Sequence, residues 1–320
     1  MFISCKDKSN SLMVLIPRRV FGPLKLDFRT FIPPKVICMI SYLKRKLEKW
    51  KTKKTFREYG HKIETYNLPK DGKIDFAVWL NPLEKPKKIT QGGVDFFRKF
   101  IKEGDLAIDI GTHMGDTTVP MALAAGSKGT VLGFDPNPHV FKIFTVNTSL
   151  NKGKMNITPL PYAITSEDGE FFFTSSEASF NNGGVEKSEN NRHGNFTLGQ
   201  KVKGINLEKY LKANLPDKLP LLSFIKVDTE GYDKTVLESI TGLLETQKPT
   251  VVAECFGKLT KQERGDLFDL LHSRGYIIHH FDDFDASTQF ILIENRDGMS
   301  RWKHFDIAAV HKDRIKSITL

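Results

Sequence analysis

Cysteine is scarce in this chain of 320 residues, which contains only Cys5, Cys38 and Cys255. Because the three lie far apart and are odd in number, they indicate a reducing compartment and exclude both a disulfide framework and a cysteine metal site. Long apolar runs are also missing: none approaches the ~20 residues that a membrane-spanning helix needs. The first residues lack the apolar stretch and small-residue cleavage site of a signal peptide. These absences predict a cytoplasmic protein.

A net positive charge is absent from the chain outside its N-terminal part. Residues 1–60 carry 15 basic and 4 acidic residues and therefore +11, whereas the whole chain carries +10, which leaves the other 260 residues at −1. This distribution argues against nucleic acid as a partner of the remaining chain. It predicts a basic helical arm over residues 1–60. Within it, residues 31–54 have the apolar-then-polybasic pattern of a segment lying on the inner face of a membrane. The alternatives are a helix packed on the domain and a surface that forms a homo-oligomer.

The dense glycine triplet of dinucleotide-binding loops is absent as well. The apolar run 106–110 is followed by glycines spaced Gly-x-x-x-Gly, whereas a pyrophosphate requires Gly-x-Gly-x-x-Gly at a helix N-terminus. The looser loop suits a ligand without phosphates, such as S-adenosylmethionine, whose amino-acid end would lie against the loop backbone. The candidate cofactor-binding residues of this stretch are Asp109, Gly111, Thr112, His113, Gly115, Asp116 and Thr117.

Two further strands end in acidic residues. The strand over 130–134 is followed by Asp135 and Pro136, and an acidic residue 20–25 positions after the glycine loop is placed to accept hydrogen bonds from both ribose hydroxyls. The strand over 222–227 is followed by Asp228-Thr229-Glu230-Gly231, and the next strand ends at Glu254. Asp228, like Asp135 and Pro136, is also a candidate cofactor-binding residue. In a doubly wound sheet the strand ends meet at one edge, so these carboxylates are expected to face one crevice.

With these motifs in this order, residues 90–295 resemble the FkbM family of S-adenosylmethionine-dependent methyltransferases. The resemblance implies an α/β fold: the doubly wound, Rossmann-like, seven-stranded sheet of class I methyltransferases, with strand order 3-2-1-4-5-7-6 and here an N-terminal extension. It also implies that Ala163 and Ile164 cover the adenine. The family usually has Asn at the position of His113 and Glu at that of Asp135, so the contact distances at these two positions are expected to differ.

Methyl transfer from a sulfonium is an in-line displacement, so the enzyme mainly aligns the reacting atoms. A hydroxyl acceptor must also lose its proton, which requires a general base. The candidates are Asp228 or Glu230, then His113, with Glu254 in the same crevice. Each also has a structural interpretation, since Asp228 would brace the loop and Glu230 would suit a helix N-terminus. The carboxylates could form an oxygen-rich metal site with a histidine, but the reaction needs no metal and we predict none.

The rest of the chain completes the predicted organisation. Residues 61–92 form a small β-hairpin cap that turns at Asp71-Gly72, and residues 93–320 form the methyltransferase domain. Residues 175–199, rich in Ser, Asn and Gly, are too polar to pack and are expected to be a mobile substrate loop.

We therefore expect an O-methyltransferase that uses S-adenosylmethionine and acts on a hydroxyl of a sugar, glycan, glycolipid or secondary metabolite. A nicotinamide oxidoreductase would share the fold but lacks its glycine triplet here. A nucleic-acid base methyltransferase would need prolines and a stacking aromatic after strand four, where Asp228-Thr229-Glu230-Gly231 stands. A non-catalytic nucleoside-binding or scaffold module is the remaining alternative.

Overall fold

A computed structural model describes residues 34–187 and 194–318 of the protein. Residues 1–33 of the predicted basic arm and residues 188–193 of the predicted polar loop lie outside the described residues. The chain divides into two units inside the first helix, between Lys44 and Arg45. The described part of the first unit is the beginning of this helix, and the second unit contains all the other elements.

The elements alternate between helix and strand through most of the second unit. The helices are α1 (Pro34–Lys54), α2 (Gln91–Arg98), α3 (Thr118–Ala125), α4 (Pro138–Ser149), α5 (Leu207–Asn214), α6 (Asp233–Ser239), α7 (Thr241–Thr246) and α8 (Lys261–His272), with 3-10 turns at Leu219–Leu221, Arg296–Ser300 and Ile315–Ser317. The strands are β1 (His61–Leu68), β2 (Gly72–Trp79), β3 (Leu106–Ile110), β4 (Thr130–Phe134), β5 (Ile157–Leu160), β6 (Ala163–Ile164), β7 (Gly169–Ser175), β8 (Gly184–Glu186), β9 (Phe196–Thr197), β10 (Val202–Ile205), β11 (Leu222–Val227), β12 (Thr250–Cys255), β13 (Tyr276–Phe281), β14 (Ile291–Leu292) and β15 (Phe305–His311).

The main sheet has the strand order β5-β4-β3-β11-β12-β15-β13-β14. Adjacent strands from β5 to β12 are parallel, and β15 runs antiparallel to both of its neighbours. Without the two-residue edge strand β14, this is the order 3-2-1-4-5-7-6, so the predicted class I methyltransferase fold is confirmed. The chain changes direction across the sheet between β3 and β11, which is where such folds bind their ligands.

Helices cover both faces of this sheet. The first face packs against α2, α3 and α4 through residues such as Phe97, Val119 and Phe144. The second face packs against α5 to α8 through residues such as Val236 and Leu267. Because both faces are covered, β3, β4 and β11 are buried along their whole length and consist mostly of apolar residues.

The predicted hairpin is present as β1 and β2, which pair antiparallel with Leu68 opposite Gly72. Gly72 has a φ of +70°, a left-handed conformation that glycine adopts without steric cost. The side chain of Asn147 in α4 ties the hairpin to the sheet domain, since its Oδ1 accepts from the N–H of Ala77 at 2.6 Å and its Nδ2 donates to the Ala77 carbonyl at 3.0 Å. The hairpin therefore shares the hydrophobic core of the α2–α4 face.

The interpretation of residues 175–199 as too polar to pack was wrong for the described residues up to 187. Ala178, Phe180 and Val185 are buried, and with Phe171 and Phe173 they form a small core beside the main sheet. Strands β8 and β9 pair with β7 within a second sheet. A few apolar side chains are thus enough to anchor a segment whose composition is mostly polar.

Among the helices of residues 34–187 and 194–318, none has both the length and the apolar character that crossing a membrane requires.

Candidate active site

A cavity of about 560 Å³ opens at the ends of β3, β4 and β11, where the strand order reverses. This is a common volume and position for a small-molecule site in a doubly wound fold. Most of the residues that the sequence singles out line it: Gly111, Thr112, His113, Asp116, Thr117, Asp135, Pro136, Ala163, Ile164, Asp228 and Glu230. Asp109, Gly115 and Glu254 are not part of the lining.

Asp109 lies behind the cavity, where it anchors the loop that forms the floor. Its Oδ2 accepts hydrogen bonds from the hydroxyls of Thr117 (3.0 Å) and Thr118 (2.6 Å). Its Oδ1 lies 3.4 Å from the Nζ of Lys226, whose Cα is its register partner on β11. Asp109 therefore joins the start of α3 to the neighbouring strand.

Lys226 is a buried ammonium held between two carboxylates. Its Nζ also lies 3.2 Å from Asp228 Oδ2, and the side chain is 3% exposed. Burial alone would lower the pKa of Lys226, but Asp109 and Asp228 outweigh this effect and hold the pKa above its usual value. The lysine therefore stays charged and fixes Asp228 at the edge of the cavity.

The glycine loop lies directly against the loop after β11. A Cβ added at Gly111 would stand 1.8 Å from the backbone oxygen of Asp228, and Gly111 has a φ of +82°. At Gly115 the φ is +93° and a Cβ would stand 2.8 Å from the ring of Phe144. Both glycines are needed for close packing of the backbone, which brings the two motif-bearing loops together at the cavity.

Asp135 shapes the glycine loop as well as lining the cavity. Its Oδ2 accepts from the N–H of His113 at 2.8 Å and its Oδ1 from the N–H of Asn137 at 2.9 Å. Burial raises the pKa of the Asp135 carboxyl to about 6, although the two N–H donors oppose this shift. Each carboxylate oxygen has further lone pairs, so Asp135 can still accept from a ligand in the cavity.

Glu230 faces the cavity from a strained turn. It has a φ of 56°, which is a left-handed conformation. This conformation is energetically unfavourable for residues other than glycine, and such residues are found most often at functional sites. The nearly fully buried Asp233 holds this turn, because it accepts from the N–H groups of Thr229 (3.3 Å) and Gly231 (3.1 Å). Burial and then the nearby Asp228 raise the pKa of Glu230. A carboxylate with a raised pKa inside a cavity is suited to accept a proton.

Glu254 is not brought into the cavity with the other candidates. It lies within β12, next to Asp306 on β15, and its Oε1 is 3.0 Å from the Nε2 of His304. Burial, followed by the neighbouring carboxylates, raises the pKa of Glu254. The strand extends one residue beyond Glu254, to Cys255.

Several lining residues come from segments in which the sequence analysis singled out no candidate site residue. The segment after β2 supplies Glu84, whose Oε2 lies 3.5 Å from the Nε2 of His113, and Lys87, whose Nζ lies 2.7 Å from Asp116 Oδ2. Burial alone would lower the pKa of Lys87, but the Asp116 carboxylate raises it. The segment after β7 supplies Glu177.

One of the missed residues carries a signal in the sequence. Lys226 interrupts the otherwise apolar run of β11, and a charge in a buried strand requires a partner. Glu84, Lys87 and Glu177 carry no such signal, because their positions depend on how two connecting segments cross the end of the sheet.

Comparison with known proteins decides the family. A model of the FkbM methyltransferase domain matches residues 109–278, which is more than half of the chain. The chain belongs to the FkbM family of S-adenosylmethionine-dependent methyltransferases. Membership favours methyl transfer over the nicotinamide and non-catalytic alternatives. The matched span contains the glycine loop, Asp135 and the Asp228–Gly231 turn.

Among curated proteins, the chain is similar to the hexuronic acid methyltransferase AglP of Haloferax volcanii, with 27% identity over 165 residues. The match covers 51% of this chain and 62% of that relative's length.

Two solved methyltransferase structures are similar at low identity. One, named FkbM, is from Methylobacillus flagellatus (12% identity, TM-score 0.38), and the match covers 65% of this chain and 44% of that one. The other is an S-adenosylmethionine-dependent O-methyltransferase from Thermotoga maritima (13% identity, TM-score 0.37). The match covers 79% of this chain and 78% of that one.

The cavity fits S-adenosylmethionine in its chemistry. The glycine-loop backbone, the Asp135 carboxylate and the apolar surface of Ala163, Ile164 and Phe134 match an amino-acid end, a ribose and an adenine. Among the described residues, no group of three or more His, Cys, Asp or Glu side chains is arranged to hold a metal ion.

Proposed function

We propose that this FkbM methyltransferase methylates a hydroxyl group of a sugar, with a uronic acid as the first acceptor class to test. The observation that carries the proposal is a set of buried oxygen atoms in residues lining the cavity. Glu177 Oε2 and Asn181 Oδ1 have no hydrogen-bond donor among the described residues. A buried acceptor without a donor costs about 1–3 kcal/mol, so a ligand that donates hydrogen bonds is favoured. A sugar carries several hydroxyl donors.

Two further observations support the choice of a uronic acid. Lys85 is one of the residues that line the cavity, and its ammonium group forms no ion pair or hydrogen bond with any residue that the structure describes. Such a cation could pair with the carboxylate of the acceptor. The relative AglP is, by its name, a hexuronic acid methyltransferase.

The residues that line the cavity have separate roles in the proposed reaction. S-adenosylmethionine, when bound, supplies the methyl group on an electrophilic sulfonium sulfur. Glu230 would accept the proton of the acceptor hydroxyl as this oxygen receives the methyl group, and the donor would leave as the neutral thioether. Asp228, fixed by Lys226, orients the acceptor hydroxyl, and the glycine loop holds the donor in line. Asp228 is the second candidate base, and His113, which lies beside Glu84, is the third.

The acceptor proposal is tested by offering methyl glycosides of glucuronic acid and of glucose with S-adenosylmethionine. We expect mass spectrometry to detect methylated product with the uronate. The variant Glu177→Gln replaces a carboxylate oxygen, which accepts hydrogen bonds, with an NH2 group, which cannot accept one from a sugar hydroxyl. The KM for the sugar should therefore rise about tenfold or more, while the Kd for S-adenosylmethionine stays unchanged. If the donor Kd changes instead, Glu177 belongs to the donor site and the hydroxyl argument fails.

Lys85→Met separates the carboxylate contact from the hydroxyl contacts. This substitution should raise the KM for the uronate and leave the KM for the neutral glycoside unchanged, because only the uronate carries a charge to pair. A variant that affects both acceptors equally would contradict selection of a uronic acid.

Asp135→Ala is expected to weaken binding of S-adenosylmethionine at least tenfold, a loss of about 1.4 kcal/mol, because the ribose hydroxyls lose their acceptor. Isothermal titration calorimetry measures the Kd directly. Since burial raises the pKa of Asp135 to about 6, affinity of the intact protein should also fall as the pH drops below that value, where the carboxylate becomes protonated.

The control for this variant is Asp135→Glu, which retains the carboxylate and carries the residue usual in the family. It should bind more tightly than Asp135→Ala, and thermal unfolding of both variants should show that the glycine loop still folds. Unchanged affinity in Asp135→Ala would remove Asp135 from the donor site.

A further inference from the structure

The C-terminal half of α1 carries large apolar side chains on its surface. Leu47 is 52% exposed and Trp50 is 55% exposed. They lie three positions apart in the same helix. At 3.6 residues per turn these two positions share one side of the helix, here called the apolar stripe.

The residues around the apolar stripe are almost all basic. Residues 45–54 contain Arg45, Lys46, Lys49, Lys51, Lys53 and Lys54 against the single acidic residue Glu48. The Nζ of Lys54 lies 5.0 Å from the centre of the Trp50 ring. A tryptophan next to lysines is suited to the boundary between lipid headgroups and hydrocarbon.

We propose that α1 docks on an anionic lipid bilayer, with the apolar stripe in the headgroup boundary and the lysines on lipid phosphates. The charge selects this occupant, because a second copy of the helix would bring like charges together, whereas an anionic bilayer is complementary. The helix would lie in the plane of the surface. Docking requires neither the donor nor the acceptor, so it is independent of the proposed function.

The end of this helix is tied to the cavity. The backbone carbonyl of Lys53 accepts from the N–H of Ala178 at 3.0 Å, and Lys53 Nζ lies 3.5 Å from Glu177 Oε1. Glu177 lines the cavity. A bilayer that holds α1 would therefore hold the lining segment after β7 close to its surface, where a lipid-anchored acceptor could enter.

The test is co-sedimentation of the full chain with vesicles of phosphatidylcholine alone and of phosphatidylcholine with about one-third phosphatidylglycerol. We expect binding to the anionic vesicles only, a loss of binding at high salt and a blue shift of tryptophan emission. The double variant Leu47→Ser, Trp50→Ser should bind at least about tenfold more weakly. The triple variant Lys46→Gln, Lys49→Gln, Lys51→Gln should lose a similar factor.

The matched control is Ile291→Ser, Leu292→Ser, an exposed apolar pair on the edge strand β14. This variant should bind as the unchanged protein does. Equal binding to neutral and anionic vesicles, or undiminished binding by both α1 variants, would overturn the proposal. It would also be overturned by a dimer in light scattering that dissociates in the Leu47→Ser, Trp50→Ser variant, which would assign the apolar stripe to a second copy.

Discussion

Replacing Glu230 with glutamine is expected to lower kcat by a factor of about 10²–10⁴, which is what a positioned general base contributes. Glutamine fills the same space but cannot take the proton of the acceptor hydroxyl. The measurement is the initial rate of methyl transfer at saturating donor and acceptor. Calorimetry should give a nearly unchanged Kd for S-adenosylmethionine, since the role assigned to Glu230 is to remove a proton.

The pH profile gives this prediction a second readout. Burial and Asp228 raise the pKa of Glu230, so the rate of the intact enzyme should fall with decreasing pH at a higher value than an ordinary carboxylate would give. Glu230→Gln should lack this acidic limb. A variant that merely disturbed the fold would lower the rate but keep the acidic limb of the pH–rate profile.

Glu254→Gln is the matched control, because Glu254 lies outside the cavity lining and burial with the neighbouring carboxylates raises its pKa, which favours the protonated carboxyl. An amide closely imitates a protonated carboxyl, so kcat should stay within a few-fold of its original value. If Glu230→Gln retains most of its kcat, Asp228 becomes the candidate base and the role of Glu230 is confined to shaping the turn.

The order of the main sheet could be predicted because its signals are local. Each central strand is a mostly apolar run with an acidic residue near or directly after its end, and the motif order identifies the family, which in turn implies the strand order. Segments whose burial depends on distant partners were less predictable. The polar segment after β7 is packed through Ala178, Phe180 and Val185, and only the folded chain brings Phe171 and Phe173 against them.

In the candidate site, too, some residues could be predicted from local sequence patterns and others could not. Most candidate residues at the ends of β3, β4 and β11 line one cavity, because parallel strand ends meet at one edge of the sheet. Glu254 was grouped with them on the same reasoning, but its strand continues to Cys255 and its side chain pairs with His304. Glu84 and Lys87 reach the cavity from a connecting segment, and its path is set by tertiary packing, which no local pattern encodes.

Lys226 connects the two loops that carry the motifs, since it contacts both Asp109 under the glycine loop and Asp228 at the cavity edge. The loops are further locked by the approach of Gly111 to the Asp228 backbone. The stability of the fold and the shape of the cavity therefore depend on the same few atoms, and a stability measurement can test this arrangement without any knowledge of the acceptor.

Lys226→Met is expected to lower the free energy of unfolding by about 3–5 kcal/mol, because methionine fills the space but leaves Asp109 buried without its cation. This corresponds to a decrease in Tm of roughly 10 °C. Urea unfolding at neutral pH measures the loss. The raised pKa of Lys226 means that its stabilising charge is present throughout the neutral range and is lost only in strongly alkaline solution.

Two comparisons distinguish the loss of the cation beside Asp109 from a simple loss of packing. The double variant Lys226→Met, Asp109→Asn removes both charges and should recover most of the stability, because a buried neutral pair costs far less than one unpaired carboxylate. In the single variant Asp109 has no cation, so its pKa should rise further and the deficit should shrink as the pH falls and the carboxyl becomes protonated. A deficit that is equal at all pH values and additive in the double variant would show that Lys226 contributes by packing alone.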